Sequence, residues 1–129
     1  MKLVDTCVWA EILRGTPTGS VLKPLLPPLG QLVVSTMVVY ELAKWLARNV
    51  EPERADQAMV TLLNAHVVEP TANIALQAAQ LSAEYKLHAL DALIYATALE
   101  HDAQLVTCDA HFKDLPQVDY TAKVLDKTK

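Results

Sequence analysis

Four carboxylates in this 129-residue chain stand where short apolar runs end or close beside them: Asp5, Glu41, Asp91 and Asp109. Asp5 ends Lys2-Leu3-Val4, and Asp109 follows Leu105-Val106-Thr107-Cys108. Glu41 comes one helical turn into the segment after Ser35-Thr36. Asp91 lies between Leu90 and Ala92-Leu93-Ile94, where an isolated charge needs a partner or a cation. Acids without Cys or His at ligand spacing favour a hard cation, Mg2+ or Mn2+, over Zn2+. The spacing names a metal site and no particular reaction. Each acid also has a structural reading. Asp5 and Asp109 can cap helices, Asp91 can favour a helix's first turn through the dipole, and Glu41 can pair with Lys44 at i,i+3. A chance alignment of all four is the less favoured reading.

For these acids to meet, they must stand at the carboxyl ends of parallel strands. The apolar runs at residues 2–4, 32–35, 66–69 and 104–107 read as strands, and 120–125 as a last edge strand. Helices are expected over residues 6–14, closed by Gly15 and Pro17, and over 21–26, stopped by Pro27-Pro28. Others are expected over 37–49 with Thr36 as N-cap, and from Pro52 to about Asn64. Pro70-Thr71 opens a helix to about Tyr85, and another runs from Asp91 to near His101. Residues 109–112 form a short turn or helix. Short strands alternating with helices predict an α/β fold with a mainly parallel sheet. No linker divides the chain, so residues 1–129 are expected to be a single domain.

Hydrophobic residues make up 52%, charged residues 20%, and the mean hydropathy is +0.19, which excludes a disordered or fibrous chain. Eleven Lys and Arg against 15 Asp and Glu leave a formal net charge of −4. Bulk basic charge therefore cannot draw this protein to nucleic acid; a local basic rim or bound cations would have to. Arg14, Lys44, Arg48, Lys86 and Lys113 are the candidates for that rim, although each is more readily a solvated surface charge. The start MKLVDT lacks signal-peptide architecture, and no apolar run approaches a membrane span. With only Cys7 and Cys108 there is no disulfide framework, and a reducing cytoplasm is expected. Buried small hydrophobe is the default reading of both thiols; metal binding or a redox switch, which needs the first and fourth strands to be neighbours, is the less favoured one. His88 and His111 read as local polar contacts.

Val4-Asp5-Thr6-Cys7-Val8 comes first, then Ser35-Thr36 with Glu41-Leu42. Asp91-Ala92-Leu93-Ile94-x-Ala96-Thr97-Ala98 follows, and last Leu105-Val106-Thr107-x-Asp109-x-His111-Phe112. In this order the segments resemble the PIN-domain ribonucleases of the VapC toxin type, from residue 3 to about 115. The resemblance implies a PIN-like three-layer α/β/α sandwich with a central sheet of four to five strands. It implies a Mg2+-dependent (or Mn2+-dependent) endoribonuclease, the toxin of a type II toxin–antitoxin pair. Its product would carry a 5′-phosphate and a 3′-hydroxyl. By similarity, Asp5, Glu41, Asp91 and Asp109 form the catalytic cluster, with Asp5 and Asp91 as direct metal ligands. Glu41 and Asp109 would bind a second ion, hold water or orient it, and Thr6 and Thr107 would support the carboxylates with hydroxyls. RNA, a cognate antitoxin and a second copy of the chain are the implied partners.

Two residues depart from the family's pattern. Cys7 stands where Asn or Ser is usual, and Lys86 stands near a position often held by Gly. Trp9 and Trp45 read either as base-stacking residues or as core, and Leu13, Trp45 and Leu46 as a groove for an antitoxin segment. A PIN fold without catalysis is the main alternative. A phosphoacceptor module is less favoured, because Asp5 stands alone where such modules pair two acids. A haloacid-dehalogenase-type phosphatase needs a second acid where Cys7 stands.

Overall fold

Five strands, each of three or four residues, carry the chain's apolar runs into one sheet. They are β1 (Lys2–Val4), β2 (Leu32–Ser35), β3 (His66–Val68), β4 (Gln104–Thr107) and β5 (Val118–Tyr120). The order is β3-β2-β1-β4-β5 and every pairing is parallel, with Val4 opposite Val106 and Ser35 opposite Val68. The computed structural model describes residues 1–125; residues 126–129, the end of the expected single unit, lie outside them.

Period-two alternation divides the sheet residues between two cores. Leu3, Val33 and Leu105 face α5 (Ala72–Tyr85) and α6 (Ala89–Glu100). Val4, Leu32, Val34 and Val106 face the side built from α1 (Thr6–Arg14), α2 (Pro17–Leu22), α3 (Thr36–Asn49) and α4 (Pro52–Leu63). The result is the expected three-layer α/β/α sandwich. The chain fills the sheet from β1 outward through β2 and β3, then returns to place β4 on β1's other side. That reversal leaves a crevice between the carboxyl ends of β1 and β4, where open α/β sheets bind their ligands. No helix among the described residues is long and apolar enough to cross a membrane.

Helix boundaries follow local chemistry. Gly15 ends α1 in the left-handed region at φ 68°. The helix expected at 21–26 instead begins at Pro17. The Thr16 hydroxyl accepts the Gly19 N–H at 3.0 Å, and Pro17 at the first helical position loses no bond the helix would make. A 3-10 turn over Lys23–Leu25 takes up the rest of the expected segment. Ser35, not Thr36, caps α3, accepting the Met37 N–H at 3.1 Å. The last strand lies at Val118–Tyr120 rather than at 120–125. Val118 packs on the core, whereas Val124 and Leu125 are exposed, so a strand there would have no face to bury.

Two backbone positions carry measurable consequences. A Cβ on Gly19 would stand 2.3 Å from the Glu11 carbonyl oxygen, which is α1 backbone and cannot move aside like a side chain. Gly19→Ala is therefore expected to cost about 2 kcal/mol or more in guanidinium unfolding, while Gly30→Ala, with nothing within 4 Å, is near neutral. Lys86 is the C-cap of α5 at φ 57°, in the left-handed region that favours glycine. Lys86→Gly is expected to raise stability by about 1 kcal/mol; a loss of stability would show that the lysine side chain matters more than its backbone.

Candidate metal centre

The cluster begins with a buried acid. Asp5 is only 4% exposed, and such a carboxylate must have its oxygens occupied. Its N–H donates to the Val106 carbonyl at 2.9 Å, fixing it across β1 and β4. One oxygen accepts the Thr6 N–H at 2.8 Å, capping α1. The other accepts the Thr107 hydroxyl at 2.8 Å and lies 3.6 Å from the Cys7 sulfur. The Thr107 oxygen in turn accepts the Asp109 N–H at 3.0 Å, so one buried hydroxyl ties two candidate acids together. The Thr6 hydroxyl donates to Glu41 at 2.8 Å and brings in a third. Glu41 thus bonds to α1, and Lys44 lies 5.9 Å above the Tyr40 ring.

Asp91 joins from the first turn of α6. Burial raises its pKa above the ordinary carboxylate value, and the charges of Asp109 and Glu41 add to the rise, against a smaller opposing effect of His111 and His88. Asp5 is held well above that range by burial first. Cys7 and Asp91 add to the effect, while the bonds from Thr107 and Thr6 oppose it. Asp91 is therefore the acid that interacts through space with the other three. Ligand atoms of Asp91, Asp109 and His111 all lie within 4.8 Å of one another. The Nδ1 of His111 is 2.7 Å from Asp109, whose same oxygen accepts the His111 N–H at 2.9 Å. His111 is thus the local contact expected of it and also part of the ligand-bearing group. His88, which makes no capping bond for α6, has its ring 6.1 Å from that of His111.

This donor set suits a divalent cation. It offers carboxylate oxygens and one imidazole, and burial followed by like charge already raises the proton affinity of Asp5 and Asp91. The basic residues divide. Lys44 and Arg48 share a groove with Thr6, Glu41, Trp45 and Leu90, beside the acids. Arg14 lies on the last turn of α1 and pairs with Glu11 at 3.4 Å. Lys86 and Lys113 are exposed and line neither groove that contains a cluster acid. A second groove holds Asp109, Cys7 and Cys108 with Tyr120 and Lys123. Sequence reasoning missed these last two. Residue 123 lies in the segment expected to be strand, and only the early end of β5 carries the chain back past Asp109. Leu13, Trp45 and Leu46, expected to share one groove, line three different ones.

Cys7 and Cys108 do meet. The Cys108 N–H points at the Cys7 sulfur at 3.4 Å, and the Thr107 oxygen is 3.5 Å from that sulfur. Cys7 holds its proton more tightly than a free thiol, chiefly through its bond to Cys108 and then through burial. Cys108 is shifted the other way, chiefly by the same bond.

The sequence profile of the PIN domain matches residues 2–118. No curated sequence matches the chain. A toxin–antitoxin complex from Klebsiella pneumoniae contains a chain of the same fold at 24% identity. The match covers 92% of this chain and 96% of that one, with a TM-score of 0.79. FitAcB from Neisseria gonorrhoeae is 25% identical over 86% and 89% of the two chains, with a TM-score of 0.71. VapC20 of Mycobacterium tuberculosis, a toxin that cleaves the sarcin-ricin loop, shares the fold at 23% identity over 90% and 95%, with a TM-score of 0.69.

A carboxyl that binds its proton more tightly folded than unfolded adds stability below the ordinary carboxylate pKa. That contribution is lost as pH rises through the folded-state value. Asp91 is such a group. In metal-free protein, Asp91→Asn is therefore expected to raise Tm by a few degrees at about pH 7, with the gain shrinking toward about pH 4. The same variant should lose most of the Tm increase that millimolar Mn2+ gives the unaltered protein. Thermal melts across this range check both; a gain independent of pH, or an unchanged Mn2+ response, would remove Asp91 from the cluster.

Proposed function

The chain belongs to the PIN-domain family, and from that premise we propose that it is a divalent-cation-dependent endoribonuclease, the cytoplasmic toxin of a toxin–antitoxin pair. The observation that carries this reading is that ligand atoms of Asp91, Asp109 and His111 lie within 4.8 Å of one another, while Asp5 and Glu41 add their charges to the surroundings of Asp91. Fold relatives from a Klebsiella toxin–antitoxin complex and a mycobacterial toxin that cleaves the sarcin-ricin loop support it.

Asp5, Asp91 and Asp109 would hold Mg2+ or Mn2+, with Glu41 facing the same space. The cation supplies Lewis acidity and offsets the acids' charge, which otherwise repels phosphate. The remaining work falls to the chain. Thr6 and Thr107 hold Glu41 and Asp5 in fixed orientations, so the carboxylates need no reorganisation when substrate arrives. Glu41 is suited to hold and accept the proton of an attacking water, since one of its oxygens is already engaged by Thr6. Lys44 and Arg48, in the groove beside Glu41, would take backbone phosphates, and Trp45 offers a stacking face.

An apolar groove lies away from the acids, lined by Trp9, Ile12, Leu13, Leu32, Leu42 and Leu62. The buried Trp9 Nε1–H meets no acceptor among the described residues. The groove's apolar lining supports docking of an antitoxin segment. A homodimer belongs to the same reading.

The test is cleavage of total cellular RNA by the purified chain in Mg2+ or Mn2+, with and without EDTA, followed by end-mapping. Cuts leaving 5′-phosphates are expected, and Asp5→Asn should slow them about a hundredfold or more. Lys44→Ala with Arg48→Ala should raise KM more than it lowers kcat. A fold that Mn2+ stabilises but that cuts no RNA would support the non-catalytic alternative; cuts unaffected by Asp5→Asn would exclude the cluster.

A further inference from the structure

Neither cysteine has a part in the proposed hydrolysis, yet they are placed together by the two strands that build the crevice. Cys7 follows β1 and Cys108 follows β4, the neighbour of β1 in the sheet. The Cys7 sulfur lies 3.4 Å from the Cys108 nitrogen. Because N and Cα are about 1.5 Å apart, that sulfur is within about 5 Å of the Cys108 Cα, close to the reach of about 4.5 Å that a disulfide's bond lengths and angles allow. Both cysteines line one groove, Cys7 half-buried and Cys108 buried. They are the chain's only cysteines.

We propose that Cys7 and Cys108 are an oxidation site: a hydroperoxide converts them to an intrachain disulfide that weakens cation binding by the adjacent carboxylates, and a dithiol reverses it. The sulfur of one cysteine attacks the peroxide O–O bond, taking one oxygen as a sulfenic acid and releasing the other as water or alcohol. The second sulfur displaces the sulfenic oxygen as water, and the S–S bond forms. Two S–H bonds and one O–O bond break, and two electrons pass from sulfur to oxygen. A dithiol reductant returns them by thiol–disulfide exchange.

The consequence for the site is local. In the reduced chain the Cys7 sulfur touches the Asp5 oxygen at 3.6 Å and the Thr107 oxygen at 3.5 Å, and Cys108 directly precedes Asp109. Drawing the two sulfurs to bonding distance, about 2 Å, pulls on both carboxylates' supports. A reducing compartment keeps the pair as thiols, so the disulfide would report a transient rise in peroxide. The effect on cation binding rests on the carboxylate cluster being a metal site; the disulfide itself does not.

The experiment treats the reduced full chain with hydrogen peroxide, alkylates the remaining thiols and records intact and peptide masses. A loss of about 2 Da is expected, with no alkylation, one peptide pair joining Cys7 to Cys108, and full reversal by dithiothreitol. Cys7→Ser and Cys108→Ser should each abolish that loss. Disulfides formed only between chains, or a gain of about 16 or 32 Da on one cysteine while the other stays alkylatable, would overturn the site. The rise in Tm caused by Mn2+ is then compared in the two forms. It should fall by about half or more in the oxidised chain and recover on reduction; an equal rise in both would overturn the coupling. If Mn2+ fails to stabilise even the reduced chain, the metal-centre reading falls while the mass result stands.

Discussion

The buried carboxylate of Asp5 is the constraint on which the rest of the site depends. A charge this deeply enclosed is tolerated only if both oxygens are satisfied. It meets that condition by joining three elements: its backbone bonds to β4, one oxygen caps α1, and the other takes the Thr107 hydroxyl. Thr107 passes the constraint on to Asp109 through the backbone N–H it accepts. The pairing of β1 with β4 makes this possible, because it sets the Val106 carbonyl and the Thr107 hydroxyl beside the end of β1. The hydrogen bonds that make Asp5 tolerable are also the ones that aim its neighbours.

Helix α6 supplies the other half. Ala92, Ile94, Tyr95, Ala96, Thr97 and Ala98 are all buried, so it has no wide polar face and must run through the core. Thr97 is accommodated by donating its hydroxyl to the Leu93 carbonyl, and Tyr95 by donating to Pro116 while its ring meets Phe112 edge-on. Asp91, in the first turn, is therefore the helix's one acid brought against the crevice, on an element that packing holds rigid. Its raised proton affinity follows from burial and from neighbours of like sign. Any cation that binds there relieves repulsion already present in the metal-free chain.

Capping and acidity are not competing explanations here. Asp5 caps α1 and Asp109 caps the short turn at Ala110–Phe112, as the plain structural reading of each suggests. In a parallel sheet every strand's carboxyl end feeds a helix or turn that wants an N-cap, and those ends lie side by side. The same carboxylates can therefore serve local structure and a shared site at once.

Much of the fold was legible in the sequence. Strands 1, 2 and 4 were readable because each is a short apolar run ended by a polar residue, and their alternation with helices indicated a parallel sheet. The four acids were readable because parallel strands place their carboxyl ends together. Local sequence was less informative where two signals compete. Thr16-Pro17 outweighed the apolar run at 21–26, and Ser35 took the cap one residue before Thr36. Lys123 and Tyr120 at the second groove, and the scattering of Leu13, Trp45 and Leu46 among three, could not be read from spacing. Residue types and periods determine which elements form and which side chains are available, because those are short-range properties of the chain. Which groove each side chain enters, how closely the two thiols meet, and that Asp5 and Asp91 bind protons more tightly than free carboxylates were decided only by the tertiary structure. Burial and through-space charge depend on distances between residues that are far apart in the chain.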